Sequence, residues 1–149
     1  MSVQTKLLVA LGAAVMAFGT LASSPSFARN DDIQFRCRAR GPAKIKLQAR
    51  YEERVRPRGT RIRFNAEFEA LPNGSFTAGQ QISIVVDSVV VGAVQLALAP
   101  SGELSGELQL DSKPQAGHTP IPSNFPDVAA GSVVEARSGS STLLGCTLD

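Results

Sequence analysis

The chain has 149 residues, with 15 Lys and Arg against 13 Asp and Glu, two cysteines, one histidine and no tryptophan. Its net charge of +2 is too small for a protein that works mainly on nucleic acid, and two cysteines with one histidine do not suit a structural zinc site. An apolar content of 43% allows one domain with a sizeable core.

The N-terminal region has the layout of a secretory signal peptide. Lys6 is the one charged residue before an apolar run over 7–21, and small and turn-forming residues follow at 23–26. The apolar run is shorter than the roughly 20 residues that span a bilayer, so a retained membrane anchor is the weaker alternative.

Small side chains at Ser26 and Ala28 suit signal peptidase, so we predict cleavage after Ala28, with Ala22 as an alternative site. The signal peptide would occupy 1–28 and a single domain 29–149. We therefore predict a secreted or periplasmic protein without a transmembrane anchor after cleavage.

Two segments early in the predicted domain alternate strictly between apolar and polar residues, namely 43–52 and 60–70. A period of two over about ten residues is typical of a β-strand with one buried and one solvent-facing side. Pro57 and Gly59 between the two segments predict the turn of a hairpin.

The remaining chain continues this all-β pattern. We predict further strands over 33–39, 81–87, 89–99, 103–111, 132–137 and 142–148, with a tight turn at Asp87-Ser88 and loops over 71–79 and 112–131. About eight such strands predict a single antiparallel β-sandwich or a partly closed barrel.

Three finer expectations concern the strand order. The segment 84–98 is apolar on both faces, so we expect it at the centre of its sheet. Gly92 within it predicts a bulge or a close approach of another backbone. Only the proline-rich 112–131 segment looks long enough to cross between sheets.

Cys37 and Cys146 lie near opposite ends of the predicted domain. In an exported protein such a pair predicts a disulfide, although two buried free thiols are the alternative. The bond would close a loop of about 110 residues, for which the chain-entropy account gives an upper figure of about 4–5 kcal/mol. It would also place the first and last strands side by side or opposite each other across the core.

Charge is distributed unevenly along the chain. Residues 29–63 carry 12 basic and 4 acidic side chains, a net of +8, whereas residues 64–149 carry 2 basic and 9 acidic side chains, a net of −7. If the first three strands are neighbours, alternation gathers the cations on one sheet face. We predict an anion-binding surface made of Arg36, Arg38, Lys44, Lys46, Arg50, Arg54, Arg56, Arg58, Arg61 and Arg63.

Three interpretations of this surface remain open. It could be a solvated face whose cations pair across strands with Glu52, Glu67 and Glu69. It could bind an acidic polysaccharide, lipopolysaccharide or an acidic protein. It could also meet the acidic half of a second copy in weak self-association of an otherwise monomeric protein. No aromatic residues interleave the arginines, so nucleic acid is not an expected partner.

The sequence shows no catalytic motif. His118 is the lone histidine, in the proline-rich loop, and no Gly-x-Ser-x-Gly elbow is present. Glu67 and Glu69 share one strand face and could in principle serve glycoside hydrolysis, but ion pairing with arginine is the simpler role. Metal-ligand spacings are absent from the sequence, so we predict no metal, no cofactor and no enzyme activity.

The stretches "DSVVVGAVQLALAPSGELSGELQLDSKP" and "FPDVAAGSVVEAR", within 87–137, resemble small secreted bacterial β-domains of uncharacterised function. These domains have a hairpin, a "VVG" strand, a Gly-Glu-Leu strand and a return of the "FP…V.AG..V" type. The resemblance covers about half of the predicted mature chain. It implies an all-β fold and carries over no functional residue.

These observations predict an exported, non-catalytic binding or structural module of the periplasm or cell surface, with a basic sheet face for an anionic envelope component or acidic partner. The alternative is a secreted inhibitor that inserts the 112–131 loop, stiffened by its prolines, into a partner protein. A small hydrolase is the third hypothesis.

Overall fold

A computed structural model of the protein describes residues 32–149, so the predicted signal peptide and its cleavage site lie outside the described residues. The described chain forms β-strands and one 3₁₀ turn, Pro42–Lys44. The strands are β1 (Asp32–Arg40), β2 (Lys46–Arg54), β3 (Arg61–Ala70), β4 (Gln81–Val86), β5 (Val89–Gln95), β6 (Ala97–Leu98), β7 (Leu104–Asp111), β8 (Thr119–Pro120), β9 (Val133–Ser138) and β10 (Ser141–Thr147). Eight of them are longer than two residues, which confirms the all-β prediction.

The strands form two sheets that pack as a sandwich. The first sheet has the order β1-β2-β3-β7-β6, and the short β8 pairs in parallel with β7 at its end. The second sheet has the order β10-β9-β4-β5. The sheets remain separate, so the structure is a sandwich and the barrel alternative is wrong.

The core lies between the sheets and follows the predicted alternation. In β3, Phe64, Ala66 and Phe68 are buried, whereas Asn65 between them is exposed. Complete burial of a large apolar side chain stabilises the fold by about 1.5–3 kcal/mol, so rows of this kind are the main source of stability.

One side of the sandwich is closed by a disulfide between Cys37 of β1 and Cys146 of β10, with Cα atoms 5.7 Å apart. These strands are edges of different sheets. Beside the bond, the main chains of Arg36 and Asp149 exchange two hydrogen bonds of 3.0 and 3.1 Å. The predicted disulfide is confirmed, and the first and last strands meet across the seam between the sheets.

The chain changes sheets more often than predicted. It crosses through the loop 71–80, through the segment 112–132, and also at the buried Leu96 between β5 and β6. The expectation that only the proline-rich segment could cross was wrong, because a single residue redirects the almost continuous β5 and β6 from one sheet into the other.

The position of β5 also differs from the prediction, since β4 is central in its sheet and β5 is an edge strand. Val91 is an extra residue between the partners of Ile84 and Val85, so β5 contains the bulge that Gly92 predicted. The bulge reverses the side-chain alternation, and both Val91 and Val94 therefore reach the core. The bulge therefore explains why β5 is rich in apolar residues although it is an edge strand.

Gly106 of β7 lies against the crossing point, where a Cβ would come within 2.8 Å of the carbonyl oxygen of Gln95. We expect Gly106→Ala to lower the free energy of unfolding by about 1–3 kcal/mol, because the methyl group must displace backbone. Gly74→Ala is the control, since open space surrounds that position; its effect should stay within about 0.5 kcal/mol. Urea unfolding followed by circular dichroism measures both, and equal midpoints for the two variants would contradict the expectation.

Candidate functional site

The outer face of the first sheet carries most of the side chains that are predicted to bind anions. Pairing of β1, β2, β3 and β7 aligns their outward residues in rows that cross the strands. Two neighbouring rows are Arg36, Arg50, Asn65, Gln109 and Arg38, Gln48, Glu67, Glu107. The face therefore runs from arginine on β1 to glutamate on β3 and β7.

Six of the ten predicted anion-binding residues form ion pairs within the chain. The pairs are Lys46 with Glu69 and Glu103, Arg50 and Arg54 with Glu52, Arg56 with Asp32, and Arg61 and Arg63 with Asp111. Apart from the pairs with the buried Asp111, these surface pairs stabilise a fold little. Their main effect here is to neutralise much of the predicted basic surface.

Two more predicted residues lie outside the strands. Arg58 is at the tip of the β2–β3 hairpin, and Lys44 is in the 3₁₀ turn.

The predicted start of β2 at residue 43 was wrong, because Ala43 and Lys44 have positive φ angles of 54° and 58°. A backbone in this left-handed region cannot continue a strand.

The remaining cations form a basic strip, defined as Arg36, Arg38 and Arg40 on the outward side of β1. Each is exposed, and none of the three makes an ion pair within residues 32–149. Arg40 was missed as a candidate, although it shares the alternation of the other two. Since β1 is an edge strand, the strip lies beside the seam that the Cys37–Cys146 disulfide closes.

Gln34 connects the basic strip to β2. With its amide oriented to satisfy hydrogen bonding, the Gln34 oxygen accepts from Nη2 of Arg36 at 3.0 Å and from Nη2 of Arg50 at 2.6 Å. Arg36 and Arg50 are also direct register partners. Two guanidinium groups are thus held side by side, although like charges directly opposite each other are unfavourable in a sheet.

A shallow groove of about 520 Å³ crosses this face. Its lining residues fall into a basic wall, an acidic wall and a neutral floor between them. The basic wall is Arg36, Arg38 and Arg50, the acidic wall is Glu67 and Glu107, and the polar residues between the walls are Gln48 and Asn65. Asp149, whose main chain pairs with Arg36, also lines the groove.

The acidic wall is another pair of like charges, because Glu67 and Glu107 are direct register partners on β3 and β7. Asn65 Nδ2 donates to Glu107 at 3.3 Å, but neither glutamate has an ion-pair partner within the described residues. Burial raises the pKa of Glu67, and the charges of Glu69 and Glu107 raise this pKa further, against a smaller opposite effect of Lys46.

Asp111 at the end of β7 is fully buried and organises a second cluster. Arg61 donates from Nε and Nη2 to its two oxygens at 3.0 and 2.6 Å, and Arg63 donates from Nε at 3.2 Å. The main-chain N–H of Lys113 and the ring of His118 complete the shell at 2.9 and 3.3 Å.

The hydrogen bond from Arg61 is the main reason that the pKa of Asp111 lies well below its usual range, with further lowering by Lys113 and His118 against the opposing effect of burial.

The sequence did not predict this cluster, because the two arginines are some fifty positions from Asp111. The only signal in the sequence was that alternation places Arg61, Arg63 and Asp111 on the outward sides of their strands. The cluster ties the hairpin and the proline-rich segment to one carboxylate, which is a structural role.

The proline-rich loop lies against the sandwich. Ile121, Phe125 and Val128 pack on the core, and the Phe125 ring meets Phe64 edge-on with centroids 5.6 Å apart. Insertion of these side chains into a partner would expose the core beneath them. The inhibitor alternative stays a prediction without structural support.

These features define a two-sheet β-sandwich with a groove of mixed charge on one outer face. Comparison with protein-family models, with curated proteins and with solved structures finds no match to this chain. The part of the chain that the structure describes has no helix with the length and hydropathy of a membrane span. Over the same residues, no three His, Cys, Asp or Glu side chains come together as a metal site.

We expect Asp111→Asn to lower the free energy of unfolding at pH 7 by about 1.5–3 kcal/mol, because charge-assisted hydrogen bonds to a buried carboxylate are lost. The folded-state pKa of Asp111 lies below the unfolded one. Its contribution is therefore present above about pH 4 and is lost progressively as the pH falls below that.

Urea midpoints at several pH values measure this effect. The gap between wild type and Asp111→Asn should be constant from pH 7 to about pH 5 and close below about pH 4. Asp127→Asn, at an exposed position outside the cluster, should match wild type throughout. A gap that does not change with pH would show that Asp111 acts through packing alone.

Proposed function

We propose that the protein is an exported, non-catalytic binding module that holds an anionic partner on its basic strip and on the basic wall of the groove. One observation carries this proposal. Arg36 and Arg38 have no carboxylate partner within residues 32–149, whereas most other cations of the face do. Guanidinium groups without an internal partner suit bidentate contacts to carboxylate or phosphate.

One feature of the fold supports the proposed export. A disulfide between Cys37 and Cys146 is compatible with an oxidising compartment. In the periplasm or at the cell surface, the available anionic partners are acidic polysaccharide, lipopolysaccharide and acidic protein. Arg36, Arg38 and Arg40 follow one another at every second position of β1, and this row suits an extended anion with repeated negative charges.

A small glycoside hydrolase is the second candidate. It is favoured by the pairing of Glu67 with Glu107 in one groove and by the burial that raises the pKa of Glu67, as a general acid requires. The residues that line the groove include no aromatic side chain to pack against a sugar ring. Binding is therefore the better supported function.

We expect Arg36→Gln/Arg38→Gln to weaken binding to alginate, a polysaccharide with carboxylate groups, by about five- to tenfold at low ionic strength, because two unneutralised guanidinium groups are removed. The control is Arg54→Gln/Arg56→Gln, which removes the same charge from residues that already pair with Glu52 and Asp32. Retention on immobilised alginate across a salt gradient measures both variants.

Equal loss in the two variants would contradict the proposal, since only net charge would then matter. Release of reducing ends from the polysaccharide by wild type, abolished in Glu67→Gln, would instead favour the hydrolase.

A further inference from the structure

The groove has two walls of opposite charge, and an anionic partner would use only the basic one. We propose that the groove binds an extended peptide segment that carries both carboxylate and ammonium groups. Its carboxylates would lie at Arg36 and Arg38, and an ammonium group would lie between Glu67 and Glu107. This inference rests on the proposed function, because the same arginines bind the anionic part.

The acidic wall needs a cation that the described chain does not supply. Lys46, the nearest lysine in the rows, pairs with Glu69 and Glu103. Within residues 32–149, Glu67 and Glu107 therefore face each other without a salt-bridge partner. An ammonium group placed between them would relieve this repulsion, and the partial burial of Glu67 strengthens the attraction relative to a fully solvated pair.

Strand spacing sets the length of the ligand. Neighbouring strands lie about 4.8 Å apart, so Arg36 and Arg38 on β1 are about 10 Å from Glu67 on β3 and about 14 Å from Glu107 on β7. An extended peptide advances about 3.3–3.6 Å per residue. The residue that carries the ammonium group should therefore lie about three or four positions along the chain from a residue that carries a carboxylate.

The floor between the walls favours a peptide over other chains of mixed charge. Gln48 and Asn65 lie there, and their carboxamides can both donate to and accept from peptide groups. Asn65 already donates to Glu107, whereas the side chain of Gln48 makes no hydrogen bond within residues 32–149. A purely anionic chain would gain the basic wall but would meet repulsion at the acidic one.

The test uses two peptides, acetylated at the N-terminus and amidated at the C-terminus. Ac-EEGGK-NH₂ carries two carboxylates and an ammonium group at the required spacing, and Ac-EEGGQ-NH₂ lacks only the ammonium group. Binding of both peptides at low ionic strength is measured by NMR titration for wild type, Glu67→Gln/Glu107→Gln and Arg36→Gln/Arg38→Gln.

We expect wild type to bind the lysine peptide about two- to fivefold more tightly than the glutamine peptide. Glu67→Gln/Glu107→Gln should lose this preference, and Arg36→Gln/Arg38→Gln should bind both peptides more weakly. The control Glu53→Gln/Asp127→Asn removes the same negative charge outside the groove. It should keep the preference for the lysine peptide.

Other outcomes separate the two proposals. Equal binding of both peptides by wild type, or a preference that survives in Glu67→Gln/Glu107→Gln, would overturn the peptide inference and leave the anion-binding proposal standing. Binding that is unchanged in Arg36→Gln/Arg38→Gln, for the peptides and for alginate, would overturn both.

Discussion

The unbroken antiparallel register of β1, β2, β3 and β7 is the constraint on which the rest of the molecule depends. No bulge interrupts these pairings, whereas the second sheet contains two register shifts. A slip of one residue in β3 would exchange buried Phe64 and Phe68 for charged neighbours. Burial of the apolar side chains thus fixes the register, and the register in turn fixes the rows of arginine and glutamate.

This dependence explains how unfavourable charge pairs can persist on the outer face. Arg36 lies opposite Arg50, and Glu67 lies opposite Glu107. If arginine lay opposite glutamate instead, both pairs would be favourable. The cost of each pair is small beside the burial of the core beneath it. A groove with a basic wall and an acidic wall is therefore compatible with a stable sandwich. Unfavourable local pairings of this kind are often found at the functional sites of proteins.

Local alternation in the sequence was enough to predict the hairpin of β2 and β3, the Asp87-Ser88 turn and the all-β class, because these features depend on neighbouring residues. The disulfide was predicted from the cysteine count and from the predicted export of the protein. The crossing at Leu96, the edge position of β5 and the partners of Asp111 depend on contacts between distant segments. Alternation indicates that an arginine faces outward, but not which carboxylate lies on the adjacent strand.

The seam between Cys37 and Cys146 has a consequence for the order of events during biosynthesis. Cys37 leaves the ribosome long before Cys146, because 108 residues lie between them, and the sequence contains no other cysteine. Cys37 therefore has no intramolecular partner until Cys146 has been synthesised, and no other cysteine of the sequence competes for it. Strands β1 to β7 precede the second cysteine, so the whole charged face is synthesised before the bond that closes the sandwich can form.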